Sequence, residues 1–217
     1  MKVSNTLVSI TMKVTPASRP PKTGRPLSFD RDAVLEAAML LFWRNGYEAT
    51  SISDLTAAMG ITPPSLYTAF GDKKRLFLEA VSRYLTRPGL DVQQFLPAAP
   101  SAREAIRRLL DSATVEQTRK GLPRGCMLMS AAVGSPAEGE VQEAVIALRG
   151  LVENTLRERI ERGIGDGELP VHTDAAALAS FFLAILQGMS TQARDGASRK
   201  KLGALADAAM AAWPGRA

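Results

Sequence analysis

Residues 50–76 read TSISDLTAAMGITPPSLYTAFGDKKRL, and their start and stop signals confine the stretch to two short helices joined by a sharp turn. Ser51, with Asp54 three residues later, forms a capping box, so a helix starts near Ile52. Ile52, Leu55 and Met59 then recur at spacings of three and four as one apolar stripe, and Gly60 supplies the left-handed backbone that ends it. Ile61 plugs the corner, Thr62 caps the next helix, and Pro63 fits its first turn, where a missing amide costs nothing. This second helix runs from about Pro63 to Phe70 with Leu66 and Phe70 inward, leaving Thr62, Pro64, Ser65, Tyr67 and Thr68 outside.

Such a pair suits a helix-turn-helix, whose second helix enters the major groove while its flanks hold phosphates. The expected division places Thr62, Pro64, Ser65 and Thr68 near base edges and Thr50, Tyr67 and Lys73 on phosphates, with Ser51 also on the DNA side. Asp72 caps a following helix whose first turn carries Lys73 and Lys74, where cations oppose the helix dipole. Phosphate is a good reason to place them there. A plain helical hairpin with a solvated lysine pair has the same spacing.

Around this core, Asp30 caps a scaffold helix with Ala33, Val34, Ala37, Leu41 and Phe42 inward up to a stop at Gly46, after which Tyr47 packs. Leu41, Phe42, Gly46, Tyr47, Thr50, Ser51, Ala57, Met59, Gly60, Ile61, Leu66, Tyr67, Phe70, Lys73 and Leu76 together resemble the amino-terminal domain of the tetracycline-repressor (TetR) family of transcription regulators. The match spans roughly Phe29 to Tyr84 and departs from the family locally at Pro63 and Pro64, which stiffen the start of the reading helix. The resemblance implies an all-α chain with a three-helix DNA-binding domain at 28–85 and a helical effector-binding and dimerisation domain at 86–217. It further implies a repressor that leaves a palindromic operator when an effector binds, with the helix Lys73 to Leu85 linking the two activities.

The charge is informative in its location. Lys2, Lys13, Arg19, Lys22 and Arg25 stand in residues 1–27 with no acidic residue, while the other 22 basic residues balance 22 acidic ones. Prolines and the lack of periodicity predict a disordered basic arm. Gly24 and Arg25 in an extended segment can enter a narrow minor groove, where negative potential attracts guanidinium, and some family members carry the same Gly-Arg-Pro triplet. Met12 repeats the opening Met-Lys-Val and is an alternative start.

The second half begins with a loop-like stretch at 86–100, broken by Pro88, Gly89, Pro97 and Pro100. Ser101 and Glu104 start a helix to about Lys120 with Ile106, Leu109, Leu110 and Ala113 inward. A short apolar helix is expected from Gly125 to Val133, and a long one follows from Ser135, Pro136 and Glu138 with Val141, Val145, Leu148, Val152, Leu156 and Ile160 in step. Residues 175–193 carry no charge, yet Gln187, Gly188, Ser190, Thr191 and Gln192 make their second half too polar for a membrane span. A helix apolar all round in a soluble protein is buried all round. Leu178, Phe182, Ile185 and Met189, with Leu202, Leu205, Ala209 and Trp213 of the last helix, are therefore expected to pair with a second copy as a four-helix bundle.

Cys126 is the only cysteine, which excludes an internal disulfide and fits a reducing cytoplasm. Arg119, Lys120 and Arg124 precede it at a helix start, a setting that favours thiolate, and a Gly-Cys pair opens the equivalent helix in a subgroup of the resembled family, some of whose members sense electrophiles, oxidants or copper. The other reading is a small core residue. Leu109, Cys126, Met127, Met129, Phe181 and Phe182 are candidates for an apolar effector pocket, to which Phe95 and Met189 could add. No metal or cofactor is expected: Cys126, Met127 and Met129 are too few soft ligands for copper, and His172 reads as a loop residue. A thiol enzyme would need a base near Cys126, which the sequence does not supply. An effector-independent DNA-coating protein would use the same helices with weak sequence preference. Deleting residues 1–27 is expected to weaken DNA binding and to flatten the slope of log affinity against log salt by about 0.9 for each phosphate that the arm neutralises, as read by anisotropy titrations at several ionic strengths.

Overall fold

The computed structural model describes residues 29–130 and 139–215, and all regular structure among them is helical. Helix α1 (Arg31–Asn45) packs on α2 (Ile52–Met59) and, most extensively, on α4 (Lys73–Leu85), with α3 (Pro63–Phe70) between α2 and α4. The second half comprises α5 (Val92–Ala98), α6 (Ala102–Glu116), α7 (Met127–Ser130), α8 (Glu140–Gly165), α9 (Ala175–Arg194) and α10 (Arg199–Ala211).

Local chemistry sets the boundaries of the first domain. Asp30 accepts the Asp32 and Ala33 amides, Ser51 and Asp54 form the reciprocal capping box, and Gly60 ends α2 at φ 66°. Thr62 caps α3 through the Ser65 amide, and Asp72 caps α4 through the Arg75 amide at 2.8 Å. The core is aromatic: Phe42 meets Phe77 edge-on at 5.2 Å, and Tyr47 packs on both rings. Helix α1 buries Val34, Leu35, Ala38, Met39, Phe42 and Trp43, a face rotated from the expected stripe, since Ala33 is exposed and Ala37 and Leu41 are half-buried. The reason is that α1 is covered on a broad side by α2, α4 and α7 together.

Three other expectations are corrected. The stretch 86–100 contains α5, because Asp91 caps it at the Gln94 amide, and Pro97, one residue from its end, costs the short helix at most one amide bond and helps to stop it. Helix α6 ends at Glu116, short of Lys120, as Gln117 turns to place its carbonyl on the Gly125 amide. Phe182, Met189, Leu202 and Ala209, expected at a partner surface, are at most 4% exposed and hold α9 and α10 in their own core, while Leu178, Ile185, Leu205 and Trp213 are half-buried. The expected helix start at Ser135, Pro136 and Glu138, the end of the short helix at Val133, and the basic arm with Arg25 lie outside the described residues.

Helix α9 is long and apolar enough to cross a membrane by length and composition, yet it packs on α8, α10, α6 and α7. Its polar residue Ser190 has a defined use, receiving the Cys126 amide at 2.8 Å.

The two halves meet at Gly125–Met127. Trp43 Nε1 donates to the Gly125 carbonyl at 3.1 Å, the Gly125 amide donates to Gln117, and the Tyr84 phenol meets Cys126 and the Met127 amide. Arg194 adds bonds to the Trp43 and Arg44 carbonyls. Gly125 is fixed here by its φ of 80° and by space, because a Cβ would lie 2.8 Å from Arg194 Cγ and 2.9 Å from the Ser190 carbonyl. At Gly121 the φ is also 80° but nothing lies within 4 Å. Gly125→Ala is therefore expected to destabilise the protein by about 2–4 kcal/mol, with Gly121→Ala costing only about 1 kcal/mol of backbone strain, as measured by urea denaturation.

Candidate nucleic-acid interface

Helix α3 stands on Leu66 and Phe70, 0% and 3% exposed, and turns its other side outward. Thr62, Pro64, Tyr67 and Thr68 are exposed and Ser65 is half-exposed, so the expected base-reading residues share one surface. Their hydroxyls are already engaged along the helix: Thr62 and Ser65 bond each other at 3.0 Å, and Thr68 donates to the Pro64 carbonyl at 2.8 Å. A hydroxyl so bonded retains acceptor capacity. Outward methyl, pyrrolidine and phenol groups give this surface a largely apolar relief, with Tyr67 49% exposed.

The flanks differ from expectation in one place. Thr50 is wholly buried and its hydroxyl donates to the Gly46 carbonyl at 2.6 Å, so its side chain closes the α1–α2 turn and is not presented to phosphate. Ser51 is exposed, although its hydroxyl both donates to Asp54 and accepts the Asp54 amide. Lys73 places its ammonium 4.3 Å above the Tyr47 ring, and burial holds its pKa below the usual lysine value against an opposing Glu48. Lys74 pairs with Glu140 at the start of α8, and that bond raises its pKa. Arg75, not singled out by its sequence context, is exposed beside Gly71 at the end of α3. The only sequence signal for it is the third place in the Lys-Lys-Arg run.

Behind α4 lies an apolar cavity of about 70 Å³. Leu109, Cys126 and Met129 line it, whereas Met127 is buried away from it, Phe181 is on the outer side of α9, and Phe182 packs against Phe181 and Trp213. Tyr84 and Leu85 of α4, Gln117 and Leu186 also line it, and none of these carries a pocket signal in the sequence. Burial, followed by the neighbouring Cys126, pushes the Tyr84 phenol well above its usual pKa. Two of the three basic residues before Cys126 serve other partners: Arg119 pairs with Glu116, and Arg124 caps the end of α9 at the Ala193 carbonyl. A larger cleft of about 490 Å³, between the start of α6 and the end of α10, is open and half polar. Among the described residues no group of three His, Cys, Asp or Glu side chains is placed to hold a metal.

Comparison with known proteins agrees with this arrangement. Residues 34–80 match the bacterial regulatory proteins of the tetR family, and residues 102–209 match a tetracyclin repressor-like C-terminal domain. The HTH-type transcriptional repressor ComR of Escherichia coli (strain K12) is 37% identical over 193 residues, covering 88% of this chain and 92% of ComR. The repressor BdcR of the same organism is 29% identical, covering 87% and 90%. Among solved structures, a cysteine-substituted form of the TetR family regulator CifR, complexed with 26-base-pair operator DNA, superposes with a TM-score of 0.82 at 44% identity, covering 88% of this chain and all of that one. With both halves matched in order, the chain belongs to the tetR family of bacterial regulatory proteins and is a DNA-binding regulator of transcription, not an enzyme.

Proposed function

We propose that the protein is a homodimeric repressor that grips a palindromic operator with one α3 in each half-site and lets go when a small molecule enters the cavity behind α4. The observation that carries this reading is the exposed Pro64–Tyr67–Thr68 surface on a helix whose opposite side is sealed by Leu66 and Phe70. Pro64 and the threonine methyls suit thymine methyl groups, Tyr67, Lys73 and Arg75 suit phosphates, and Arg25 suits the minor groove. A site of action on the genome puts the protein in the cytoplasm.

A second copy has a suitable surface. The outer side of α9 presents Ala177, Phe181, Ala184, Gly188 and Thr191, exposed and uncharged, and α10 adds exposed Ala204, Ala208 and Ala211. Small residues let helices approach closely, and two-fold pairing there would set the spacing of the two reading heads. Release follows from shared structure, since Tyr84 and Leu85 line the cavity at one end of α4 while Lys73 begins the other end, about 18 Å away along the axis. Cys126 lines the same cavity, so a thiol-reactive compound would arrive by the same route as a reversible one.

Two substitutions separate contact from scaffold. Tyr67→Ala is expected to weaken operator binding about tenfold, the cost of one hydrogen bond to a charged phosphate, with no loss of thermal stability. Thr50→Val is expected to cost about 1–3 kcal/mol of stability by stranding the Gly46 carbonyl, while the folded protein keeps its affinity. Anisotropy on the duplex upstream of the gene, with random competitor DNA, reads the first, and urea denaturation reads the second. An operator preference of about a thousandfold or more is expected, and a weak preference would favour a DNA-coating role.

A further inference from the structure

The helices of the reading head meet the second half chiefly at α7, a single turn of helix on which both α1 and α4 pack. So short a mount leaves the angle of the head to be fixed by the side chains around it. The last four carbonyls of an α-helix have no partner within it. At the end of α1 the Gly46 amide takes the Phe42 carbonyl, and Arg194, in the last turn of α9, serves the next two. Its Nη1 donates to the Trp43 carbonyl at 3.4 Å and its Nη2 to the Arg44 carbonyl at 3.3 Å. These are long bonds singly, but they come from one planar guanidinium whose charge lies at the negative end of the α1 dipole. The stem of Arg194 reaches there across Gly125, where a Cβ would stand 2.8 Å from Arg194 Cγ. Arg124 donates to the Ala193 carbonyl at 2.6 Å and so fixes the turn that carries Arg194.

We infer that Arg194 is a positioning residue for operator recognition: it clamps the scaffold helix of the reading head to α9 and sets the angle at which the head leaves the second half. This rests on the reading of the protein as a homodimer paired through the outer side of α9. Ser190, which receives the Cys126 amide, and Arg194 stand one turn apart on the side of α9 toward the head, while Phe181, Ala184 and Gly188 are exposed on its outer side. The 20 residues of α9 span about 30 Å as one rod. Pairing along one side of α9 is thereby transmitted to α1 directly, without passing through α4 or the cavity behind it. Such a clamp governs the separation of two reading helices more than the grip of either one.

The test uses the full-length protein and the operator that footprinting locates in the duplex upstream of the gene, alongside the same duplex with one base pair inserted at its centre. The insertion moves the half-sites apart by about 3.4 Å and turns one against the other by about 35°. A clamped head resists this, whereas a freed head follows its half-site. The affinity lost on insertion is expected to be about tenfold smaller in Arg194→Gln than in the parent, the worth of hydrogen bonds from a charged group. Arg194→Lys, which keeps the stem and the cation, is expected to fall between. The slope of log affinity against log salt is expected to stay unchanged in Arg194→Gln, whereas flattening by about 0.9 would make Arg194 a phosphate ligand. Hydrogen exchange of the Trp43 indole, assigned against Trp213→Phe in ¹⁵N spectra, reads the clamp without DNA and is expected to quicken about tenfold in Arg194→Gln. An unchanged insertion penalty, an unchanged Trp43 exchange rate or a flattened salt slope overturns the inference. A footprint over one half-site alone overturns the homodimeric reading, and Trp43 exchange then decides the clamp by itself.

Discussion

The bond from Trp43 Nε1 to the Gly125 carbonyl is the contact on which the rest of the molecule's behaviour depends. It joins a helix of the DNA-reading half to a three-residue segment that three other elements also hold: Gln117 at the end of α6, Ser190 on α9 and Tyr84 on α4. These bonds are buried or part-buried, and each would leave a donor or acceptor unmade if it broke alone, at up to about 1–3 kcal/mol apiece. The segment therefore moves as a unit or stays as a unit. Close packing makes such a joint behave as a switch between arrangements instead of a spring. Gly125 has no side chain because none fits, and Cys126 follows it at the wall of the cavity.

The reading head shows a complementary economy. Proline at the first two positions of α3 fixes its start, and the hydroxyls of Thr62, Ser65 and Thr68 are engaged within the helix. What remains outward is shape, methyl groups and one phenol. Such a surface suits discrimination through thymine methyls and groove fit more than through bidentate hydrogen bonds, which need amide or guanidinium side chains. The basic groups sit at the flank, with Lys73 held over the Tyr47 ring and Lys74 engaged by Glu140 of the second half. Lys74 is thus shared between the halves, and a phosphate that took it would loosen that exposed pair at little cost.

Sequence alone is most legible where the chain itself dictates structure. The caps at Asp30, Ser51, Thr62 and Asp72 and the stop at Gly60 are local chemistry, and the structure has each of them. It is less legible where two elements compete for one residue. Thr50 reads as a phosphate ligand because a hydroxyl at a helix entry suits both roles, and only the buried carbonyl of Gly46 decides between them. The charge-free stretch of α9 announces burial on all sides without saying which side faces the chain, so Phe182 and Met189 read as outward although they lie inward. Gln117 and Tyr84 give no pocket signal, since the cavity is made by helices far apart in sequence.

With the cavity behind α4 as the proposed effector site, its size constrains how the protein must be poised. The cavity of about 70 Å³ is roughly half one that accepts the six carbons of benzene, so it takes about three non-hydrogen atoms, and at about 1.5 kcal/mol per atom for the best small ligands these supply at most about 4–5 kcal/mol. Moving a two-state equilibrium from 1:99 to 99:1 requires about 5.5 kcal/mol of differential affinity. Even if all of the binding energy of so small a group discriminated between the two arrangements, it would fall short of that. Either the effector reaches beyond this volume, or the joint at Gly125 is already close to balance without it.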